Sequence, residues 1–367
     1  MNYLPSDKKL VIAGRTLYRD DIRYLGYSAT SISFYFKGNK VYADFYSDPE
    51  KHESFEKAWF AILVNDSENM YIRRSLDKNK EKIKIFDIAD FSDSDKNPDG
   101  TFKLTILKLT EPEYGVCGVG EITVEDGEIV EPKVDNKKLK LQVIGDSISC
   151  GYGNEGNATD MVHDTANQNV ARAYSYLLSK DLNADLEIVA WNGKGVISAY
   201  IGAGPDIVDK ADDSWLVTML YEYTDAGTSK NYFGESQENW EKWDHSNFEP
   251  DIIVMLLGTN DSTYARDIPE RHEEFKNAYV NFLKRVHTLH PQAKIVCTLG
   301  VMDPRLNETV EAAVNEFSKE FSDTAYYQFL EQHDENIDGT GTFYHPNTKT
   351  HERIEKVLKE KIDSIMN

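Results

Sequence analysis

Four short stretches carry residue types that could do chemistry together: Ser147 in "VIGDSIS", Gly193 in "AWNGKG", Asn260 in "LLGTND" and His345 in "TFYHPN". A serine hydroxyl is a weak nucleophile until a neighbouring base takes its proton. An imidazole suits that task because its unperturbed pKa lies near neutrality. Acyl transfer through such a pair makes a tetrahedral intermediate whose negative oxygen must meet preformed donors. The amide N–H of Ser147, the amide N–H of Gly193 and the side-chain amide of Asn260 are three candidates. Glycine at 193 lets backbone approach a reacting oxygen without a Cβ in the way; Gly195 competes for the same role.

The elements that must position these residues can be read from the rhythm of the chain. From Leu139 onward, strand-like runs ("LKLQVIG", "LEIVAWN", "DIIVMLLG", "KIVCTLG", "AYYQFL") alternate with helical ones. "PERHEEFKNAYVNFLKRVHTLH" places Phe275, Ala278, Tyr279, Phe282, Leu283 and Val286 on one helical face. The C-terminal "HERIEKVLKEKIDSIMN" does the same with Ile354, Val357, Leu358 and Ile362. Strand–helix alternation with near-continuous apolar strands predicts a parallel sheet covered on both faces. Ligands bind such sheets beyond the carboxyl ends of the strands. Ser147, Gly193 and Asn260 follow the first three strand-like runs, and His345 precedes the last helix. Asp146 and Asp261 stand beside two of them and are expected to brace the turns, since aspartate accepts backbone N–H groups well.

Residues 1–130 have a different rhythm. "TSISFYFKG" alternates Ile32, Phe34 and Phe36 with Ser31, Ser33 and Tyr35, and five further runs continue the period of two. Asn65-Asp66, Asp99-Gly100 and Asp126-Gly127 supply turns, the last in a hairpin candidate, "EITVEDGEIVEP". Many short strands with polar breaks predict a β-sandwich of jelly-roll type. The polar, proline-containing "EPKVDNKK", residues 131–138, reads as the linker to a second domain over 139–367.

"GDSIS", "WNGKG", "GTND" and "HPN" resemble, in order, the four blocks of the SGNH hydrolase superfamily. The resemblance covers roughly residues 139–367. With "GDSISCGYGNEG" in the first block and a jelly roll in front, the chain is similar to carbohydrate esterase family 2. That resemblance implies a three-layer α/β/α catalytic domain and removal of acetyl groups from xylan and related polysaccharides. It also implies Ser147 as nucleophile, His345 as base, and Gly193 and Asn260 as oxyanion donors. One position departs from the superfamily pattern: Thr342, not aspartate, stands three before His345. Either a backbone carbonyl or a carboxylate, with Asp338 the leading one, would then orient the ring.

Composition narrows the partners. The chain has 367 residues, with 41 basic against 63 acidic, a formal net charge of −22. Such a surface repels phosphate backbones and anionic lipid, which argues against nucleic acid and membranes as partners. The longest apolar run, "IIVMLL", is far short of the ~20 residues a membrane helix needs. The N-terminus has no sustained apolar stretch of signal-peptide type, so a cytoplasmic location is expected. Cys117, Cys150 and Cys297 lie far apart, and no His/Cys/Asp/Glu spacing suggests a metal; no cofactor is expected.

Other residues have blander readings. His272, His287 and His290 read as solvated on or at the end of a polar-faced helix; His163, His245 and His333 match no block. His351 reads as a structural hydrogen-bonder. Trp191, Tyr344 and Tyr152 adjoin the four blocks and would either stack on sugar rings or pack. The expected activity is therefore that of a serine esterase acting on O-acetylated xylo- or gluco-oligosaccharides. The alternatives are a lipase, thioesterase or arylesterase on the same fold, or a carbohydrate-binding protein with an idle hydrolase domain.

Overall fold

The period-two alternation of the N-terminal third becomes two antiparallel sheets in the computed structural model, which describes residues 1–133, 139–160, 162–202, 204 and 208–366. One sheet orders its strands Thr16–Arg19, Ile22–Leu25, Gly118–Glu125, Lys40–Tyr46 and Lys80–Asp87. The other orders Glu128–Ile129, Ser31–Lys37, Phe102–Lys108, Trp59–Val64 and Ile72–Ser75. Ile32, Phe34 and Phe36 are fully buried, as their spacing predicts. Phe45 of the first sheet stacks on Phe60 of the second with centroids 4.4 Å apart, so the inward faces share one core.

The Asp126–Gly127 turn does not close the expected hairpin. Gly118–Glu125 and Glu128–Ile129 lie in different sheets, the second strand pairing with Ser31–Lys37. Gly127 lies so close to that strand that a Cβ would fall 1.8 Å from the Lys37 carbonyl oxygen. The turn therefore carries the chain across the sandwich. Residues 134–138 of the expected linker lie outside the described residues.

The compact unit containing this sandwich comprises Met1–Asn136 together with Asp164–Ala166 and Thr224–Glu241. The later segment is held by an Arg19–Glu235 ion pair and by Asp225, whose buried carboxylate fits only because residue 26 is glycine.

The second unit comprises Lys137–His163, Asn167–Tyr223 and Lys242–Asn367. Its five strands are all parallel, in the order Ala184–Ala190, Leu139–Gly145, Ile252–Leu256, Lys294–Leu299 and Ala325–Phe329. Every residue of Ile252–Leu256 is buried, which is why that run is apolar without alternation. Helix Tyr174–Asp181 packs against Thr348–Met366, and Pro269–Leu289 against Asn307–Ser318. The long helix starts at a proline and buries Phe275, Tyr279, Phe282, Leu283 and Val286 along one stripe. The chain leaves the Leu139–Gly145 strand to one side, then returns to build Ile252–Leu256 on the other. That reversal makes a topological switch point, where a crevice opens at the carboxyl ends.

Candidate active site

The first strand stops at Gly145-Asp146-Ser147 for steric and hydrogen-bonding reasons. Gly145 has no Cβ because one would lie 2.0 Å from the Ser149 hydroxyl packed beneath it. Asp146 then caps a single helical turn, Ser147–Cys150, its Oδ1 accepting the Ile148 N–H at 3.0 Å. Gly151, at φ +73°, ends the turn in the left-handed region that glycine adopts without strain. Ser147 thus sits at a strand–helix corner facing the crevice.

His345 arrives from the loop before the last helix. Phe343 and Tyr344 are both left-handed, at φ 49° and 60°, conformations that cost a non-glycine residue about 1 kcal/mol or more. The curl they impose points the Thr342 carbonyl back at residue 345, where it accepts the backbone N–H and the ring Nδ1–H, each at 3.1 Å. A carbonyl only accepts, so the proton sits on Nδ1 and Nε2 keeps its lone pair. Nε2 lies 2.9 Å from the Ser147 hydroxyl oxygen. Burial lowers the His345 pKa to about 4, opposed by the Thr342 carbonyl bond and assisted by the nearby His163. Asp338 is occupied elsewhere: its carboxylate accepts the Asp334 N–H at 3.0 Å and pairs with Arg353.

The donor side is built from the second and third strand ends. Asn260 Nδ2 donates to the Lys194 carbonyl at 2.9 Å, which fixes which end of the amide is nitrogen. The same nitrogen lies 3.4 Å from Oδ2 of Asp146, the residue before Ser147. A chain of contacts thus links the residues adjoining Ser147 and Gly193 through Asn260. Gly193 has φ +72°, and among the described residues only Tyr200 Cβ, 3.9 Å away, lies near its missing Cβ. Gly195 differs: a Cβ there would meet the Ser198 carbonyl at 2.2 Å and Asp261 Oδ2 at 2.5 Å. Its smallness serves packing.

Asp261 is the brace beneath that loop. Its Oδ1 accepts the N–H groups of Val196, Ile197 and Ser198 at 2.9, 2.7 and 3.0 Å. Burial raises Asp261 to about 6, against the pull of those three bonds. Asp146 is raised to about 7, first by burial and further by the charge of Asp261.

Asp160, Phe343 and Tyr200, which no motif singled out, join residues of the first block at this centre. Asp160 Oδ2 accepts the Thr342 hydroxyl at 3.2 Å and steadies the residue whose carbonyl meets the ring. Gly153 offers its carbonyl to the Thr342 N–H at 3.0 Å and leaves no room for a Cβ against that residue. Gly153 and Gly156 of "GYGNEG" therefore lie against the histidine loop at Thr342. Tyr152 and Trp191 are buried and pack, Trp191 edge-on to Trp215 with centroids 5.3 Å apart. Tyr344, Phe343 and Tyr200 are 53%, 41% and 54% exposed. Tyr200 adjoins Gly193, whose carbonyl accepts its N–H at 2.8 Å.

The three histidines expected in solvent are held by other groups: His272 is half-buried, with Nδ1 2.9 Å from the Thr309 hydroxyl and Nε2 2.6 Å from the Arg266 carbonyl. His290 is buried with Nε2 3.1 Å from the Tyr221 hydroxyl, and His287 packs on Phe317 and Phe321. His351 is buried, its Nδ1 accepting the Tyr174 N–H at 3.2 Å. Among the described residues, no group of three or more His, Cys, Asp or Glu is placed to hold a metal ion, and no helix is long and apolar enough to cross a membrane.

The GDSL-like lipase/acylhydrolase family matches residues 143–353, more than half of the chain. An acetylxylan esterase/glucomannan deacetylase of Cellvibrio japonicus is 26% identical over 98% of this chain and 90% of its own length. The cellulase/esterase CelE of Acetivibrio thermocellus is 30% identical over 72% of this chain, which spans only 30% of that longer protein. A family two carbohydrate esterase from Clostridium thermocellum, solved with cellohexaose, superposes with a TM-score of 0.79 at 25% identity, covering 97% of this chain and 99% of that one.

Proposed function

The chain belongs to the GDSL-like lipase/acylhydrolase family and is a carboxylic ester hydrolase of carbohydrate esterase type; from that premise we propose that it removes O-acetyl groups from xylan- or glucan-type oligosaccharides by Ser147–His345 catalysis. The observation that carries this reading is the 2.9 Å approach of His345 Nε2 to Ser147 Oγ at the switch point of the sheet.

In the proposed cycle, Nε2 takes the hydroxyl proton as Oγ attacks the acetyl carbonyl. The oxyanion forms against the N–H groups of Ser147 and Gly193 and the Asn260 Nδ2 hydrogen that the Lys194 carbonyl does not take, which gives up its long 3.4 Å contact with Asp146. The imidazolium gives its proton to the departing sugar oxygen, leaving an acetyl-serine. Water then attacks with His345 as base, and acetate leaves as Ser147 regains its proton. The Thr342 carbonyl steadies the imidazolium by its dipole, which is weaker than the charge of a carboxylate.

Sugar as the leaving group is supported by the rim. A pyranose ring presents C–H faces that pack on aromatic faces, and exposed Tyr200 adjoins the donor side as Phe343 and Tyr344 adjoin the base. A relative named acetylxylan esterase/glucomannan deacetylase aligns along nearly the whole chain.

The test is a 4-nitrophenyl ester series of rising acyl length beside acetylated xylo-oligosaccharides, with Ser147→Ala as control. Acetate release from the oligosaccharide, confined to short acyl chains and abolished by S147A, is expected. Octanoate turned over faster than acetate would select the lipase reading instead.

A further inference from the structure

Resting on the Ser147–His345 reading, we infer that Tyr152, backed by His163, is a positioning residue that braces the face of the catalytic imidazole and holds nucleophile and base at a set distance. The need follows from the missing carboxylate. The hydrogen bond from Nδ1 to the Thr342 carbonyl aims that N–H, but contacts at the ring edge resist a turn of the ring plane about the Cβ–Cγ axis less than packing on its face does. A turn about that axis swings the Nε2 lone pair off the serine. Something must press on the face of the ring.

Tyr152 meets that need. Its ring centroid lies 4.5 Å from that of His345, with the planes 39° apart. His163 stacks on Tyr152 at 3.7 Å and 13°. Two rings this close cannot share one face, so Tyr152 is sandwiched between them. His163 is itself placed by Gln168, whose Oε1 lies 3.2 Å from its Nε2. Tyr152, His163 and Gln168 are all buried, so the stack has no room to swing.

The backbone of the same segment ties the other partners. The Tyr152 N–H donates to the Ser147 carbonyl at 3.1 Å, and the Gly153 carbonyl accepts the Thr342 N–H at 3.0 Å. Two consecutive residues therefore touch the nucleophile's residue, the face of the base and the residue that aims it.

The inference predicts a loss in turnover that only a flat ring restores. Steady-state kinetics on 4-nitrophenyl acetate would compare Tyr152→Phe, Tyr152→Leu and Tyr152→Ala, and His163→Phe with His163→Ala. The rate of Ser147 phosphonylation by diisopropyl fluorophosphate reports the nucleophile without a sugar. Tyr152→Leu and Tyr152→Ala are expected to lower kcat about 30-fold with KM within about threefold, since a misplacement of an ångström can cost 10²-fold. Tyr152→Phe should stay within about threefold of the parent in kcat, and His163→Phe should recover most of what His163→Ala loses, because the ring face is what positions the base. Phosphonylation rates should follow the same order.

Parental kcat in Tyr152→Leu, or Tyr152→Phe as impaired as Tyr152→Ala, would overturn the inference. Should Tyr152→Ala fail to fold, the His163 pair decides: equal kcat for H163F and H163A rejects the stack. Activity surviving in Ser147→Ala would instead reject the underlying nucleophile assignment, so the two failures are separable.

Discussion

The Nδ1 of His345 faces the carbonyl oxygen of Thr342 at 3.1 Å, and Thr342 stands three residues before it in the chain. A side chain there could have supplied a carboxylate; the main chain supplies a dipole. Two left-handed residues between them turn that carbonyl inward.

The first prediction concerns Asp338, which binds the Asp334 N–H and Arg353. Asp338→Asn should keep kcat within about threefold of the parent, whereas His345→Ala should lose on the order of 10³-fold or more as a base is removed. Comparable losses in the two variants would make Asp338 the third member of a triad.

The pH profile expected of the proposed mechanism follows from the environment of His345. The competent imidazole is the neutral one, whose fraction grows as pH rises through the pKa. Burial lowers that pKa to about 4, so the acid limb of kcat/KM should lie below 6.5, toward 4. Asp146, raised to about 7, titrates nearer neutrality; an unchanged acid limb in Asp146→Asn would assign the limb to His345. A parental midpoint at or above 6.5 would contradict the burial argument.

Asp261 is expected to matter without touching substrate. Asp261→Ala strands the N–H groups of Val196, Ile197 and Ser198, and each unsatisfied buried donor costs about 1–3 kcal/mol. Thermal unfolding should show Tm lowered by roughly 5–10 °C. Turnover should fall about 10²-fold as the Gly193 loop drifts. An unshifted Tm would show that the loop does not depend on this carboxylate.

Gly193 and Gly195 should respond differently to alanine. Gly195→Ala forces a Cβ to within 2.2 Å of the Ser198 carbonyl and should destabilise the protein or prevent folding. Gly193→Ala meets Tyr200 Cβ at an ordinary 3.9 Å among the described residues but keeps a φ of +72°, a strain of about 1–2 kcal/mol. It should fold and lose turnover. The reverse ranking in thermal denaturation would exchange their roles.

The exposed rim gives a substrate-level prediction. Tyr344→Ala should raise KM for an acetylated xylo-oligosaccharide about tenfold more than KM for 4-nitrophenyl acetate, as expected for loss of one aromatic face. Equal changes on both substrates would place Tyr344 outside sugar binding.

Much of the fold was legible because its signals are local. Alternation at Ile32, Phe34 and Phe36 needed only a period of two, and the stripe on Pro269–Leu289 only a period of 3.6. Glycine, aspartate and asparagine after apolar runs marked where strands end, which placed Ser147, Gly193 and Asn260 at the carboxyl edge of the sheet. The Asp126–Gly127 turn misled because a turn dipeptide reports a change of direction, not the strand that follows; Lys37 chose the partner. Local reading gave no sign that Thr224–Glu241 belongs with the first unit.

The amino-acid order alone therefore determined the element types, the two architectures and the reactive groups available at the strand ends. Only the tertiary structure decided that a carbonyl, not Asp338, meets the imidazole; that Gly195 is there for Asp261; and that Tyr152 and His163 stack beside the base. The reason is physical: periodicity and turn propensity act over a few neighbouring residues. A contact such as Ser147 with His345, 198 residues apart in sequence, exists only once packing has closed the intervening chain.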